Sequence, residues 1–497
     1  MSKKIVLLYP ENMSKLILVP PYSLLYLATA ARKAGYEPVI IDARVISNPE
    51  KVLENELSEA TYLGVGAGMN YQVSTALLAS KKAKEYNVPV IWGGSFSTFH
   101  ALEFIKFPFV DYIFLGGAEK NFQDFLEKGI NHTHSVVYKN NGNIHTNCTE
   151  VAYDLNDFFP PAWDLLNPED YIRKYKDLRL MHITTSRGCP HRCLFCYQPS
   201  MWKRKWSFLS LENVKEEILY LKKHCTMNAI YFFDDNFAVN KERLFEVGKF
   251  LKKLGIKWSS LIRANYLTED FVRELKDLNC YKICVGAESG SQKVLDFIQK
   301  DIKSKDTIQA AKTLGKYGIN SEFFFMTGFY GETKEDRQKT LNLIDYVEKI
   351  AGTETFLRVA LPFKGTPYYD LAIKKGFRRE NTLMALSEEK WDFRPPFLPW
   401  LSKRDNKEIR NIVLASMIRF IWQKSYKDLS LFKKFLYAFI APISNLRWKQ
   451  KFWKLPLDLK IYRLYIHLKN RKRTRSAEKL MIKVKESVIY QKKKEDF

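Results

Sequence analysis

The stretch SRGCPHRCLFCYQP, residues 186–199, places three cysteines close together in the chain. It follows HITTS (182–186), a short β-branched run typical of a buried strand. The C-x3-C-x2-C spacing allows one loop to bring Cys189, Cys193 and Cys196 to a single metal site. Thiolates are soft ligands that suit iron–sulfur clusters and zinc. The segment therefore predicts a metal site at the carboxyl end of a strand.

Two alternatives to an iron–sulfur cluster are a zinc site and cysteines buried in the core. Zinc prefers four protein ligands in structural sites, and His182 or His191 would have to supply the fourth. Three thiolates around a 4Fe-4S cluster leave one iron open, as catalytic metal sites require. We therefore favour a 4Fe-4S cluster bound by the three cysteines.

The region around this loop, residues 179–375, alternates predicted strands with helices. Six such repeats favour a partial, open (β/α)6 barrel related to the TIM barrel, whose working face is the carboxyl end of the strands. The predicted strands are 182–186, 229–235, 258–264, 282–288, 321–328 and 356–362.

Residues 1–150 also alternate short apolar runs with helical patterns, which predicts a doubly wound, Rossmann-like parallel sheet. A hairpin with its turn at 140–143 follows the last parallel strand. Ligands bind such sheets beyond the carboxyl ends of the strands. Several of those ends are rich in glycine, which permits close approach of a bulky ligand, although glycine also simply ends strands.

Two further regions complete the organisation. Residues 151–178 contain three prolines without a clear period and predict a linker. Residues 376–497 predict a mainly helical, aromatic-rich and basic region. From Leu401 to Phe497 there are 26 Lys and Arg against 8 Asp and Glu. This asymmetry indicates an anionic partner such as a membrane surface, a nucleic acid or a charged substrate; the alternative is a solvated basic face.

Composition restricts the class of protein. The hydrophobic and charged fractions, 46% and 27%, exclude a disordered or fibrous chain. The first apolar run is too short for a signal peptide, and no run approaches the ~18 apolar residues of a spanning helix. Seven cysteines in 497 residues do not form a disulfide framework. We expect a cytoplasmic protein.

The cysteine segment is similar to the signature of the radical S-adenosylmethionine (SAM) superfamily, C-x3-C-x-aromatic-C, with Phe195 as the aromatic residue. The resemblance implies that the three cysteines bind a 4Fe-4S cluster whose open iron chelates SAM. It implies further that one electron from the cluster cleaves SAM to a 5′-deoxyadenosyl radical, which abstracts hydrogen from an unactivated carbon. The cofactors carry this chemistry, and the protein positions them.

Four later segments resemble the same family in the expected order: 231–240, 263–291, 323–336 and 361–370. In the third, Tyr330 stands where the family usually has proline. By the resemblance, the residues that contact SAM are Phe195, Tyr197, Asp234, Asp235, Arg263, Glu288 and Ser289.

Residues 1–370 as a whole resemble the subfamily that joins a cobalamin-binding domain to the radical SAM barrel. The matching segments are 20–42, 91–98 and 111–128. The chain lacks the D-x-H-x-x-G loop of cobalamin-dependent mutases, as many members of the subfamily do. The alternative is a domain that shapes the pocket without a cofactor. The resemblance implies cobalamin contacts from Gly93, Gly94, Ser95, Gly116, Gly117 and Glu119.

The favoured function is cobalamin-dependent methylation of an unactivated carbon in a small-molecule or lipid substrate. Alternatives are a radical cyclase or rearrangement enzyme, an RNA-modifying radical SAM enzyme and a non-catalytic cofactor-binding protein. A reductant such as flavodoxin or ferredoxin is an expected partner. The basic C-terminal region favours peripheral association with the inner face of the membrane over nucleic acid. No catalytic residue can be assigned.

Overall fold

The computed structural model describes residues 3–11, 18–68, 72–148, 154–378, 397–424, 431–453 and 456–465. Within these ranges the chain forms two seven-stranded sheets followed by a helical region. The predicted fold class, a parallel α/β sheet, then a partial barrel, then C-terminal helices, is confirmed.

The first sheet has the strand order β2-β1-β3-β4-β5-β6-β7. Its first five strands are parallel, and the last two form the predicted antiparallel hairpin. Neighbouring residues of β1 enter different cores: Ile5 and Leu7 face one, and Val6 and Leu8 the other. Both faces are therefore buried, as in doubly wound sheets. The strands are β1 Lys3–Tyr9, β2 Tyr36–Asp42, β3 Ala60–Gly66, β4 Val90–Gly93, β5 Tyr112–Phe114, β6 Val136–Asn140 and β7 Asn143–Asn147.

Helices cover both faces of this sheet. The α-helices are Tyr22–Lys33, Pro49–Leu57, Val73–Glu85, Ser95–Phe99, Ala101–Phe104 and Glu119–Lys128. Short 3-10 turns follow at Ile130–His132, Leu155–Phe158, Trp163–Leu165 and Pro168–Tyr171.

The second sheet is open, with order β16-β15-β14-β13-β12-β9-β8. Six strands run parallel, and the seventh, β8, pairs antiparallel with β9 from within the predicted linker. A separate two-stranded ribbon, β10 with β11, flanks the cysteine loop. The strands are β8 Arg173–Tyr175, β9 Leu178–Ile183, β10 Ser186–Gly188, β11 Trp206–Phe208, β12 Ala229–Phe232, β13 Lys257–Leu261, β14 Cys280–Glu288, β15 Asn320–Thr327 and β16 Thr353–Val359.

The helices of this half follow the strands in alternation. They are Tyr197–Met201, Leu211–His224, Lys241–Lys253, Glu269–Asp277, Gln292–Phe297, Ser304–Lys316, Lys334–Val347 and Pro367–Lys374, with 3-10 turns at Phe237–Val239 and Ala264–Tyr266.

The C-terminal region packs against the edge of the second sheet. Helix Lys403–Lys424 lies against β16, where the Phe356 and Phe420 rings are 4.1 Å apart. Helix Leu431–Lys449 packs on that helix, and helical residues 457–465 follow. Residues 466–497 of the predicted basic region lie outside the described residues. None of the helices described combines the length and apolarity needed to cross a bilayer.

A buried carboxyl group joins the two sheet domains. Glu217 of helix Leu211–His224 accepts hydrogen bonds from the Tyr22 hydroxyl at 2.9 Å and the Trp163 indole nitrogen at 3.0 Å. Only 2% of Glu217 is exposed, and burial raises its pKa to about 7. The neutral carboxylic acid is therefore the form that suits the folded state best.

The Glu217→Gln variant tests this assignment. Because the folded-state pKa is raised, the native carboxyl stabilises most below its ordinary pKa, and that stability is lost as pH rises through about 7. The amide does not ionise, so we expect the variant to gain stability relative to the native chain between pH 5 and pH 8, on the order of 3 kcal/mol. Urea titration at both pH values measures the difference.

The matched control is Glu216→Gln, which changes an exposed carboxyl of the same helix. It is expected to follow the native chain at both pH values. Parallel pH profiles for the native chain and Glu217→Gln would contradict the assignment.

Candidate active site at the junction of the two sheets

The cysteine loop is held by backbone hydrogen bonds on both sides. The amide of Leu194 donates to the carbonyl of Ile298 at 3.0 Å, and the amide of Tyr368 donates to the carbonyl of Leu194 at 3.0 Å. Within the loop, the Cys196 amide donates to the Cys193 carbonyl at 3.2 Å. The barrel therefore fixes the path of the segment that carries the three thiols.

The three thiols lie in a desolvated environment. Cys193 is buried, and Cys189 and Cys196 are half-buried. Burial raises the pKa of the Cys189 thiol and raises that of Cys196 to about 12. The guanidinium of Arg263 lies 3.8 Å from the Cys193 sulfur, a cation placed beside a potential thiolate.

Among the described residues, no three His, Cys, Asp or Glu side chains converge as the ligands of one metal ion. Each thiolate of a cluster binds a different iron, so the thiolates of a cluster lie farther apart than the ligands of a single ion.

The paired aspartates anchor the segment that leads into the loop. Asp234, fully buried, accepts hydrogen bonds from the Thr185 amide at 2.8 Å and the Ser186 hydroxyl at 2.5 Å. Asp235 accepts from the Gly188 amide at 2.9 Å and from the Gln198 side chain. Burial raises the pKa of Asp235 to about 7. Both carboxyl groups thus position the backbone just before Cys189.

A second polar group lies at the end of β14. Glu288 has a positive φ of 61°, a backbone conformation that costs free energy for a side chain of this size. Its carboxylate pairs with the buried Lys300 ammonium at 2.7 Å. A Cβ on Gly286 would lie 2.4 Å from that carboxylate, so glycine makes room for the pair. The Lys300 carbonyl in turn accepts a hydrogen bond from Arg263.

The remaining predicted SAM contacts lie at different depths. Phe195 packs on Phe329, with ring centroids 6.0 Å apart. Tyr197 lies at the start of helix Tyr197–Met201 and lines a cavity between the first sheet and the cysteine loop. Ser289 is fully buried, within hydrogen-bond distance of the Thr340 hydroxyl at 3.0 Å. The SAM contacts assigned by resemblance stay predictions.

A cavity of about 350 Å³ lies between the carboxyl edge of the first sheet and the cysteine loop. Its lining is mainly apolar. From the first sheet it receives all six residues predicted to contact cobalamin, Gly93, Gly94, Ser95, Gly116, Gly117 and Glu119. From the barrel side it receives Thr184, Ser186, Arg187, Tyr197, Gln198 and Asp235.

Gly93 and Gly94 follow β4 for different physical reasons. Gly94 has φ 108°, and a Cβ there would meet the backbone of Gly68 at 3.0 Å, so the fold itself requires glycine. A Cβ at Gly93 would meet no protein atom within 4 Å. Because Gly93 also lines the cavity, the absence of a side chain there leaves space for a ligand. Ser95 donates to the Gly68 carbonyl at 2.9 Å.

One ion pair crosses the cavity. Glu119, at the start of helix Glu119–Lys128 and 2% exposed, pairs with the Arg187 guanidinium at 2.5 Å. Arg187 also lies 4.9 Å from the centre of the Tyr26 ring. This arginine directly precedes Gly188 and Cys189 of the cysteine loop, so the ion pair ties that loop to the first sheet.

Sequence reasoning missed several residues of this site. Arg187, Lys300 and Gln198 take part in its polar contacts, and Trp202 donates to Gln198 at 2.9 Å. The signal that could have found Arg187 and Gln198 was their position within the cysteine stretch, residues 186–199. Arg187 pairs with Glu119 and Lys300 pairs with Glu288 only in the folded chain, so the sequence does not reveal these partners.

Comparison with known proteins identifies the central domain. Residues 183–344 match the radical SAM superfamily. The chain is 28% identical to an uncharacterised methyltransferase of Pyrococcus horikoshii, over 84% of this chain and 93% of that protein. It is 23% identical to an anaerobic magnesium-protoporphyrin IX monomethyl ester cyclase of Synechocystis, over 77% of this chain and 79% of that protein.

Two solved structures share the fold. The cobalamin-dependent SAM radical enzyme OxsB, with aqua-cobalamin and SAM bound, superposes with a TM-score of 0.70 at 17% identity, covering 100% of this chain and 80% of that one. The radical SAM methyltransferase TsrM from Kitasatospora setae, with cobalamin and a [4Fe-4S] cluster bound, has a TM-score of 0.61 at 18% identity, covering 76% and 79%. The matched domain, the cysteine loop and the shared fold together show that residues 183–344 are a radical SAM domain and that the chain is similar in fold to the cobalamin-bound enzymes OxsB and TsrM.

Proposed function

We propose that this chain is a cobalamin-dependent radical SAM methyltransferase that methylates an unactivated carbon of a small organic substrate. The observation that carries the proposal is a cavity that is lined from both sides, by the glycine loops of the first sheet and by residues around the cysteine loop. A methyl carrier on one side and a radical source on the other would share one mainly apolar space.

The donor set fits a 4Fe-4S cluster. Three thiols lie on one loop whose backbone is fixed by the barrel, with Arg263 beside the Cys193 sulfur. A cluster bound here would supply the electron that cleaves SAM reductively. The chain's own residues would hold the cluster loop in place: Asp234 and Asp235 fix its entry, and Tyr368 fixes its middle.

The first sheet fits cobalamin. A Cβ at Gly93 would clash with no protein atom, so the packing of the chain does not explain the glycine. The open space that Gly93 leaves in the cavity supports a bulky ligand at this edge of the sheet. Cobalamin would supply the methyl carrier. We propose that Gly93, Gly94, Ser95, Gly116 and Gly117 form its cradle.

We propose a different role for Glu119. Its carboxylate pairs with Arg187. The pair would hold the cradle at a set distance from the cluster loop.

SAM itself would lie between the cluster loop and the carboxyl ends of β12 to β14. Asp235, Glu288 and Arg263 lie there, together with Lys300, which resemblance did not assign. Phe195 and Tyr197 would flank the nucleoside, and Asp234 and Ser289 would act by positioning backbone. An electron donor of the flavodoxin or ferredoxin type would complete the reaction.

A radical cyclase is the second candidate. It is favoured by the similarity to the magnesium-protoporphyrin cyclase over most of both chains. The two reactions differ in the fate of the SAM methyl group, since only methylation transfers it to the product.

Methyl-deuterated SAM distinguishes the two candidates. The protein is reconstituted anaerobically with iron, sulfide and cobalamin, then reduced with dithionite in the presence of a small-molecule cell extract. We expect 5′-deoxyadenosine together with a product that carries the intact labelled methyl group. Formation of 5′-deoxyadenosine with an unlabelled product would favour the cyclase, and failure to form it would exclude both reactions.

The cluster assignment predicts the behaviour of cysteine variants. Replacing Cys189, Cys193 or Cys196 with alanine should reduce iron content to near zero and abolish 5′-deoxyadenosine formation, because each thiolate binds a different iron. Iron analysis and the anaerobic absorption spectrum measure the first effect. Cys148→Ala, at an exposed position, is the control and should retain both. Full iron content in any of the three variants would contradict the assignment.

The cobalamin cradle predicts a selective effect at Gly93. The Gly93→Leu variant should lose most bound cobalt, since its side chain would project into the cavity. Stability should change by less than about 0.5 kcal/mol, because no protein atom lies within 4 Å of the new Cβ. Iron content should stay unchanged. Lys51→Leu, an exposed site in the same domain, is the control. Equal cobalt content in both variants would remove Gly93 from the cradle.

A further inference from the structure

Helix Leu431–Lys449 turns an apolar face to solvent. Phe435 is 80% exposed and Phe439 is 60% exposed, values unusual for phenylalanine in a folded protein. The large exposed apolar residues recur at helical spacing along one side of the helix. They are Leu431, Phe432, Phe435, Phe439, Ile443 and Leu446.

The opposite face of the same helix is buried and carries the polar contacts. Ser444 and Arg447 both bind the buried Asp458, at 2.6 and 2.7 Å. The Tyr437 hydroxyl bonds to that of Tyr462 at 3.0 Å. These contacts fix which side faces the protein, so the phenylalanines point outward in a packed structure.

The apolar face extends into the next helical segment. Leu457 is 65% exposed and Leu464 is 58% exposed. Together, these exposed side chains of residues 431–464 form what we call the outer face. Monomeric proteins rarely leave a contiguous apolar surface of this kind uncovered unless it contacts a partner or a membrane.

Charge identifies the chemistry of the partner. Residues 431–465 contain eight Lys and Arg and a single acidic residue, Asp458, whose carboxylate is buried in the ion pair with Arg447. No acidic side chain of this segment is therefore exposed. An apolar face whose own segment exposes only positive charge complements a surface that is apolar within and anionic outside.

The link between the two helical segments forms one wall of a basic cleft of about 500 Å³. Its lining includes Lys451, Phe452 and Trp453 from the link. Across the cleft lie Arg404 and Lys407, which pair with no carboxylate in the described ranges. Phe452 is also 43% exposed, so apolar surface and unpaired positive charge adjoin one another.

We propose that the outer face docks on an anionic lipid bilayer, with the phenylalanines in the interface and the basic cleft at the headgroup phosphates. The chain then binds peripherally, since no described helix spans a membrane. A second copy that docked through the same face would bring like charges together, because this segment exposes no acidic side chain. The association is independent of the reaction proposed above.

Flotation of the full-length chain with vesicles tests the proposal. Vesicles of phosphatidylcholine alone are compared with vesicles that also contain phosphatidylglycerol. We expect the native chain to float with the anionic vesicles and to be released by high salt. The Phe432→Ser/Phe435→Ser/Phe439→Ser variant should partition at least about tenfold less, because it loses three apolar contacts with the interface.

A second variant separates charge from apolar contact. Arg404→Ala/Lys407→Ala should lose roughly tenfold in partition to anionic vesicles while keeping its weak affinity for neutral ones. Inorganic phosphate, added at millimolar concentration and constant ionic strength, tests whether the cleft binds free phosphate instead of lipid headgroups. If the cleft binds free phosphate, the added phosphate should abolish flotation.

The matched controls change exposed residues of the same chemical kind elsewhere in the chain. Leu102→Ser/Leu219→Ser replaces apolar side chains that are 56% and 49% exposed, and Lys252→Ala/Lys253→Ala replaces exposed lysines of the barrel. Both should float like the native chain.

Three outcomes would overturn the proposal. One is equal flotation of the phenylalanine variant and the native chain. Another is equal binding of the native chain to neutral and anionic vesicles. The third is a native dimer, seen by light scattering, that becomes a monomer in the phenylalanine variant, which would assign the outer face to self-association.

Discussion

The site depends on how two aspartates hold the segment before the cysteines. Asp234 and Asp235 accept hydrogen bonds from the backbone of Thr185 and Gly188, so the residues that follow β12 determine where the cysteine loop begins. Burying such carboxylates is costly unless they are paired, and these hydrogen bonds offset that cost. The loop is then fixed again at Leu194 by neighbouring backbone. Reactive cofactors are positioned accurately only when the residues that contact them are held rigidly by their neighbours.

The same anchoring aligns the two domains. Arg187 lies within the anchored segment, and its guanidinium reaches Glu119 beyond the edge of the first sheet. Glu217 makes a second connection, through Tyr22 and Trp163. Arg187, Glu119 and Tyr22 line the same cavity, so both connections lie beside it. Buried polar contacts therefore hold the glycine loops and the cysteine loop at a fixed separation, because polar contacts are directional and apolar packing is not.

The C-terminal helices bury their polar contacts and expose apolar side chains. Their ion pair and tyrosine hydrogen bond face the protein, while phenylalanines face outward. Helix Lys403–Lys424 covers β16, the edge strand that a closed barrel would have paired. The region thus completes the barrel on one side and leaves an apolar surface on the other. A bilayer would bury that surface without further folding.

The sequence by itself determined the fold class, the cysteine loop and the glycine-rich strand ends, because periodicity and spacing are local properties of the chain. The six residues predicted by resemblance to contact cobalamin all line one cavity, since parallel strands end at a common edge. Strand β8 was missed because three polar edge residues carry no apolar signal. Only the tertiary structure decided that Glu119 pairs with Arg187, that Lys300 pairs with Glu288 and that the phenylalanines face outward. These contacts join distant segments, and their geometry follows from packing, which no local pattern encodes.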